Sequence, residues 1–541
     1  MSSQASSSSS SSARGDLRAF LRNARQSALT HLKDGPSSSS NPLVLIMGNG
    51  AGDADSLTSA ISLSYLLSTY PHLSLPLSSP LPEKAIYAPL IQTNRSDAHL
   101  RPENVAILAA TGIDQQDILY LSDLVDAPPK GLDLSLAKSP NFSPEHNTFL
   151  GLVDHPQLEL PWTSGSSSQA SRRVLLLVDH HADASQHQDA SLRVFRQPEG
   201  SSDPNPTGSA QSIIIELFAK EIKADPAALP QGLADLAIAT VLIDTDNMRP
   251  PPKGRASETD FAAVEALLPF SSLQSREKAK ELQGKLLQSS PQEVKELLAS
   301  DEFETSAFNE GKQELSDKTA AMASVLSASK AAIRHLSSLD LLKRDYKSSS
   351  LSADDLRGAS KGLKAGFSSV NLGLPTWLHR AEGMGTSSEQ ESAQAWAGFW
   401  SSLREWMEDQ ALDVAVVGTS FRDEESDKHK RELVFAMRSS SETSAQEVGS
   451  LFDAVRSDLE DPTHNQLELQ TPWKGARLSS TGKKERVSGI DGTSGKLEAT
   501  NGSNDIVRAQ VWKQGNARAN RKVYLPTIMA ALKKAASKGS S

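Results

Sequence analysis

The sequence predicts an α/β fold, an N-terminal doubly wound, mostly parallel sheet domain followed by a C-terminal α/β domain. Three observations predict it. Apolar runs end at polar residues four times over, in LVLIMGN, HNTFLGLVDHP, RRVLLLVDHHAD and LADLAIATVLIDTDNM. Helical or loop segments of a size suited to crossover connections separate them, which fits a parallel sheet with helices on both faces. Each run meets an aspartate at its end or a few residues beyond, and the carboxyl edge of an open parallel sheet is where ligands bind.

Along the chain, residues 1–40 hold two serine tracts around a short basic amphipathic piece, LRAFLRNARQSALTHLK, and read as a disordered leader. Residues 41–275 form the first domain. There LVLIM stops at a Gly-Asn-Gly turn and resumes with helical spacing, giving strand, loop and helix. Either Asp53 or Ser56 suffices to cap that helix, so a cap explains one of the two aspartates Asp53 and Asp55 but not both. Residues 276–541 form the second domain. It opens on charged helical stretches, SREKAKELQGKLLQ and PQEVKELLASDEFE, and continues through LDLLKRDYK, LDVAVVGTSF and ELVFAMRSS. Ser- and Gly-rich loops such as TSGSSSQASRR and SSTGKKERVSGIDGTSGKLEATNGSND interrupt both domains.

Composition narrows the function. A formal net charge of -10 over 541 residues argues against a general nucleic-acid binder, which needs a basic face. The cysteine count of 0 excludes disulfides, thiolate catalysis and Cys-based zinc sites, and it fits a reducing compartment. No apolar run approaches a membrane span of about 18 residues. The start of the chain has no signal core and only faintly resembles a mitochondrial presequence, so a cytoplasmic location is expected, with no nucleic-acid or membrane partner and a monomeric state.

The four run ends deliver Asn49, Asp53 and Asp55; Asp154 and His155; Asp179, His180 and His181; and Asp244 with Asp246. Adjacent strand ends lie roughly 5 Å apart, so these groups can converge on one crevice. A single His pair after a strand is more often a cap or surface feature, and Asp244 alone could cap a helix. Co-occurrence in one order at four ends shifts the balance to a metal site. Crowded carboxylates cannot all ionise without cations, and carboxylate with imidazole suits Mn²⁺, Co²⁺, Zn²⁺ or, with oxygen ligands dominant, Mg²⁺. Two such ions bridged by one carboxylate would activate a water for displacement at phosphorus. Near the C-terminus, VWKQGNARANRKVYLP gathers Lys513, Arg518, Arg521 and Lys522 in an otherwise acidic protein, and guanidinium groups bind phosphate oxygens bidentately. Lys347 in RDYK and His379 in WLHR are further candidates to line a phosphate channel.

GNGAGDADS, LGLVDHP, LVDHHAD and TVLIDTDNM together resemble the four motifs of the DHH phosphoesterase superfamily, in that family's order. LLKRDYK and WKQGNARANRKVYLP resemble the second domain of exopolyphosphatases, family II inorganic pyrophosphatases and prune proteins. The resemblance spans roughly residues 43–526 and is strongest to the fungal cytosolic type of exopolyphosphatase. Family II pyrophosphatases place His where this chain has Asn49, and prune proteins usually alter the residue matching His181. The resemblance implies a metal-dependent exopolyphosphatase acting on linear inorganic polyphosphate with two divalent ions, Mn²⁺, Mg²⁺ or Co²⁺, in an interdomain cleft. It implies Asp53 on one ion with Asn49 as a weaker or water-mediated contact. Asp55, His180 and Asp244 would hold the second, and Asp154 would bridge the two. His181 would contact the scissile phosphate or protonate the leaving oxygen, with Asp179 orienting a neighbouring imidazole. Arg521 and Lys522 would close over the phosphates. The rivals are an inorganic pyrophosphatase or short-chain nucleotide phosphohydrolase, and a prune-like interaction protein with a vestigial site.

Overall fold

The structure, a computed structural model, describes residues 16–34, 41–70, 74–124, 136, 139–159, 162–163, 173–197, 206–252, 254–271, 312–353, 355–356, 362–380, 389–423, 426, 428–439, 444–461, 466–470 and 506–538. The charged stretches 275–288 and 291–304, the serine tracts of the leader and the Ser- and Gly-rich loop 479–505 lie outside the described residues.

The first sheet is wholly parallel: β1 (Leu43–Met47), β2 (Ile86–Ile91), β3 (Leu119–Tyr120), β4 (Thr148–Val153), β5 (Val174–Asp179) and β6 (Leu192–Phe195), in the order β3-β2-β1-β4-β5-β6. Every residue of β1 and β5 is buried, as expected of strands covered on both faces. Helices Ala54–Thr69, Ala210–Ala224 and Gln231–Asp244 carry the apolar layer on one face. The strand order reverses direction at β1, which puts the crevice at the carboxyl ends of β1, β4 and β5.

Three expectations are corrected. The run LADLAIATVLIDTDNM is a helix, Gln231–Asp244, and Asp244 is its last residue rather than a strand end. Leu233 to Ile243 are all buried, so the helix shows no polar face, and a continuous apolar run is then indistinguishable from a buried strand. The leader is in part structured: Leu17–Asp34 is an 18-residue helix. Its Ala24 and Ala28 join the apolar layer over β1 and β2 on the sheet's second face, while Phe20 meets Tyr65 edge-on at 5.1 Å. Its basic residues pair with the domain, Arg18 Nε with Asp117 at 2.7 Å and Arg25 Nε with Asp123 at 3.4 Å. The domain boundary also moves, because helix Lys312–Ala331 places Ala323, Val325 and Leu326 in the first domain's core.

The second domain holds a mixed sheet ordered β12-β13-β11-β9-β8-β7, with β10 paired to β11. Its strands are β7 (Tyr346–Leu351), β8 (Leu363–Val370), β9 (Val414–Thr419), β10 (Phe421–Arg422), β11 (His429–Arg438), β12 (Leu469–Gln470) and β13 (Ile506–Gln514). Only β8 and β9 run parallel. Helices 338–344, 374–380 and 389–409 cover one face, and 445–460 with 521–538 cover the other. The two domains meet through buried Arg344, whose Nη2 lies 3.1 Å from Glu103. Among the described residues no helix is long and apolar enough to cross a membrane.

Candidate metal centre and facing cations

The turn after β1 is shaped by close approach. A Cβ at Gly48 would meet Ser56 Cβ at 2.3 Å, so only glycine lets helix Ala54–Thr69 start against the strand end. Gly52 adopts φ +59. Asp53 caps the helix, its Oδ1 accepting from Ser56 N at 3.1 Å, and Asp55 lies buried in the first turn. Two aspartates thus do two jobs.

Asp55 also sits at the N-terminus of a second helix, Ala210–Ala224. Its carboxylate accepts from Ser209 Oγ at 2.9 Å, Ala210 N at 2.8 Å, Gln211 N at 3.0 Å and Ser59 Oγ at 3.0 Å. Burial and the charge of Asp154 nevertheless push it up to about 6.

Asp154, one residue past β4, adopts φ 60, a strained backbone for a non-glycine residue and a common feature of functional sites. Its Oδ2 accepts from Asn49 Nδ2 at 2.8 Å and Ser56 Oγ at 2.7 Å, while Oδ1 lies 3.3 Å from His180 Nε2 and 3.6 Å from His181 Nδ1. Burial first, then Asp53, raises Asp154 to about 7. Asn49 is committed within this loop, since its Oδ1 accepts from Ala51 N at 2.9 Å.

His180 Nδ1 lies 3.2 Å from Thr207 O, which leaves Nε2 facing Asp154 and, at 3.6 Å, Asp55 Oδ2. That is the arrangement of an imidazole set to ligate through Nε2. Burial lowers its basicity, but Asp154 and Asp55 win and hold it at about 10. Asp179 Oδ1 accepts from His180 N at 2.8 Å, His181 N at 3.1 Å and His181 Nδ1 at 2.9 Å. His181 is one-third exposed, with Nε2 outside these contacts.

Asp154, His180 and His181 each offer a ligand atom within 4.8 Å of one another. Asp55 joins through His180. Asp244 joins by charge, for burial and Asp55 raise it to about 7. Asp53 behaves oppositely: burial opposes its ionisation, but Arg101, Lys330 and Lys347 outweigh that and bring it to about 2. A divalent ion fits this donor set. Among the described residues, Asp179 Oδ2 and Asp244 Oδ2 are buried without a hydrogen-bond partner, and burial with neighbouring aspartates raises Asp55, Asp154 and Asp244 to pKa values of about 6 to 7 that a cation would relieve.

His155 is buried, with Nδ1 2.9 Å from Val153 O, and Asp246 is exposed and paired with Arg249, so neither enters the cluster.

Cations face this cluster from the second domain. Lys522 is exposed on its helix; partial desolvation, Arg255 and Lys347 lower its pKa, while Asp179 and Asp154 act on it in the other direction. Lys347 Nζ is 3.8 Å from Glu159, whose Oε2 accepts from Gly50 N at 2.8 Å. Arg521 pairs with Asp345 at 2.9 Å. Asn520 Oδ1 accepts from Lys522 N at 3.0 Å, so the residue before the two cations caps their helix. Lys513 and Arg518 are exposed, and the side chain of His379 lies outside the described residues. A cavity of about 400 Å³ adjoins the site between the domains, with Gly50, Gly52, Arg101, Glu159, Lys347 and Lys364 in its walls.

Sequence reasoning did not find Ser56 as the hydroxyl joining Asn49 N (2.9 Å) to Asp154, nor Glu159, nor Arg255, whose Nη2 lies 3.6 Å from Asp244. The first reads as an ordinary helix-start residue, Glu159 meets Gly50 across 109 residues, and Arg255 lies 11 residues beyond Asp244 in a loop whose course is not periodic.

Two family models match the chain. The DHH family N-terminal domain matches residues 43–241, and the DHHA2 domain matches residues 324–531. A curated protein of Schizosaccharomyces pombe (strain 972 / ATCC 24843), described as "Putative exopolyphosphatase", is 25% identical over 259 residues, 46% of this chain and 57% of that protein. The match therefore spans little more than half the length of that relative. A solved structure described as "Methanococcus jannaschii putative family II inorganic pyrophosphatase" aligns with a TM-score of 0.36 and 15% identity, covering 76% of this chain and 90% of that one.

Proposed function

The chain belongs to the DHH family, and on that premise we propose that it is a divalent-metal-dependent exopolyphosphatase that hydrolyses terminal phosphate from linear inorganic polyphosphate. The observation that carries this reading is one cleft in which crowded acids and His180 face cations of a second domain. Asp53, Asp55, Asp154, His180 and Asp244 would hold two divalent ions (Mn²⁺, Mg²⁺ or Co²⁺), Asp154 as the shared ligand, and Asn49 donates to Asp154 Oδ2. Bound there, such ions supply Lewis acidity, which lowers the pKa of a water and neutralises phosphoryl charge. His181, steered by Asp179, offers Nε2 to the leaving oxygen. Arg521 and Lys522 neutralise the charge that develops on the transferred phosphoryl group. The description of the yeast relative favours polyphosphate, and the adjoining cavity offers room for more than one phosphate beyond the metal cluster. The zero cysteine count is in keeping with a cytoplasmic setting.

The test is phosphate release from long-chain polyphosphate, tripolyphosphate, pyrophosphate and ATP, each with Mn²⁺, Mg²⁺, Co²⁺ or EDTA. The proposal expects metal-dependent turnover that is greatest on polyphosphate. Turnover confined to pyrophosphate or to ATP would replace the substrate, and no turnover in any cell would favour an interaction protein with a vestigial site.

A further inference from the structure

A buried set of charges lies between the metal-binding turn and the cationic arm, and the chemistry above leaves it unused. Arg101, 7% exposed, donates Nε and Nη2 to Ala51 O at 3.0 and 2.7 Å. Asn104 Nδ2 holds the next carbonyl, Gly52 O, at 2.8 Å. These bonds fix the turn that presents Asn49 and Asp53. The same guanidinium reaches the other domain, with Nη2 3.9 Å from Asp345 Oδ1. Asp345 in turn holds Arg521 by two groups, its Oδ1 accepting from Nη2 at 2.9 Å and its backbone carbonyl accepting from Nη1 at 2.8 Å. The backbone just before Asp345 is itself pinned to the first domain. Arg344 donates Nε to Leu100 O at 2.8 Å and Nη2 to both oxygens of fully buried Glu103 at 3.2 and 3.1 Å.

We propose that Asp345 is a positioning residue that registers Arg521 of the second domain against the metal-binding turn of the first, through Arg101. The inference rests on the hydrolase reading. Only two of the five N–H groups of Arg521 are committed to Asp345, which leaves donors for phosphate on a side chain already held in place. A guanidinium fixed before substrate arrives needs no reorganisation as charge develops, and this is where a fixed cation counts most. Burial works against the Asp345 carboxylate, but Arg521 and Arg101 outweigh it and hold its pKa below the ordinary value. Arg101 and Arg521 are 420 residues apart in the chain, and Asp345 is the carboxylate that faces both.

The test is a double-mutant cycle in the full-length protein, reading kcat/KM on tripolyphosphate with Mn²⁺ and, separately, Mn²⁺ affinity without substrate. Asp345→Asn keeps the volume and is expected to lower kcat/KM about tenfold with Mn²⁺ affinity unchanged, and Arg521→Ala about a hundredfold. The double variant should be no worse than Arg521→Ala within about threefold, because one residue acts through the other. Arg101→Lys gives a second arm: because Arg101 also holds Ala51 O, it should lower kcat/KM in both backgrounds, but by at least about threefold less in Arg521→Ala than in the wild type. Multiplicative losses in the double variant, an Asp345→Asn enzyme equal to or faster than wild type, or weakened Mn²⁺ binding in Asp345→Asn would each overturn the inference alone. A wild type inactive on every condensed phosphate would overturn the hydrolase reading and the inference with it.

Discussion

The two walls of the cleft are built on opposite electrostatic principles. On the first domain, Asp55, Asp154 and Asp244 are raised to about 6 to 7, first by burial and then by neighbouring aspartates that resist their ionisation. On the second, cations already have acids of their own: Arg521 has Asp345, and Lys343 Nζ lies 3.3 Å from Asp409. One wall is incomplete without an added cation, whereas in the other Arg521 is already held by its own acid and keeps further donors for an anion. The difference teaches that removing a charge from the first wall should relieve strain while destroying function, and removing one from the second should cost function without touching metal binding.

The largest expected effect comes from the first wall. Asp154→Asn should lower kcat by about a thousandfold or more, as loss of a shared ligand costs several kcal/mol of transition-state stabilisation. The same variant, free of metal, should melt no lower than the wild type, since one of the opposing charges is gone. Retention of more than about a tenth of activity would break the comparison at its first term. Next, Arg521→Ala with Lys522→Ala should cut kcat at saturating substrate by about a hundredfold while metal content stays at the wild-type value. An unchanged kcat with a raised KM, seen only at low salt, would demote both residues to long-range steering. The smallest effect concerns neither wall but the support beneath the first. Deleting residues 1–34 should leave the catalytic groups in place and lower the melting temperature by at least about 5 °C, because Leu17, Leu21, Ala24 and Ala28 are buried on the domain. An unchanged melting temperature would show that the sheet's second face is covered without that helix.

The same contrast separates what was legible in the sequence from what was not. β1 is wholly apolar, and β4 and β5 are apolar but for Thr148 at the start of one and Asp179 at the end of the other, so strand ends and their acids could be read directly. Helix Gln231–Asp244 was misread because it too is buried all round, yet Asp244 still reached the cluster, since the end of the run mattered more than its secondary structure. β2 went unseen because Pro89 interrupts its pattern; in the sheet, pairing with β3 covers only Leu90 and Ile91, so the missing N–H is tolerated. The leader helix was hidden by the serine tracts around it, although Leu17, Leu21, Ala24 and Ala28 already carry helical spacing. Glu159, Arg101 and Asp345 reach the site through partners far away in sequence, and Ser56 reads locally only as a cap, its bond to Asp154 spanning 98 residues.

The central claim, that the crowded acids and His180 form a divalent-metal site, is tested most directly by calorimetric titration of metal-free protein with Mn²⁺ in buffers of different ionisation enthalpy. The folded pKa values of Asp55, Asp154 and Asp244 are raised, so their contribution to stability is present below the unfolded value and is lost as pH rises through about 6 to 7; that of His180 is lost as pH rises through about 10. Near pH 6 these groups therefore hold protons that metal must displace. We expect two Mn²⁺ bound per chain with proton release, greater at pH 6 than at pH 8.5, where only the proton on His180 remains to be displaced. Binding without proton release, or no binding by a correctly folded protein, would contradict the account.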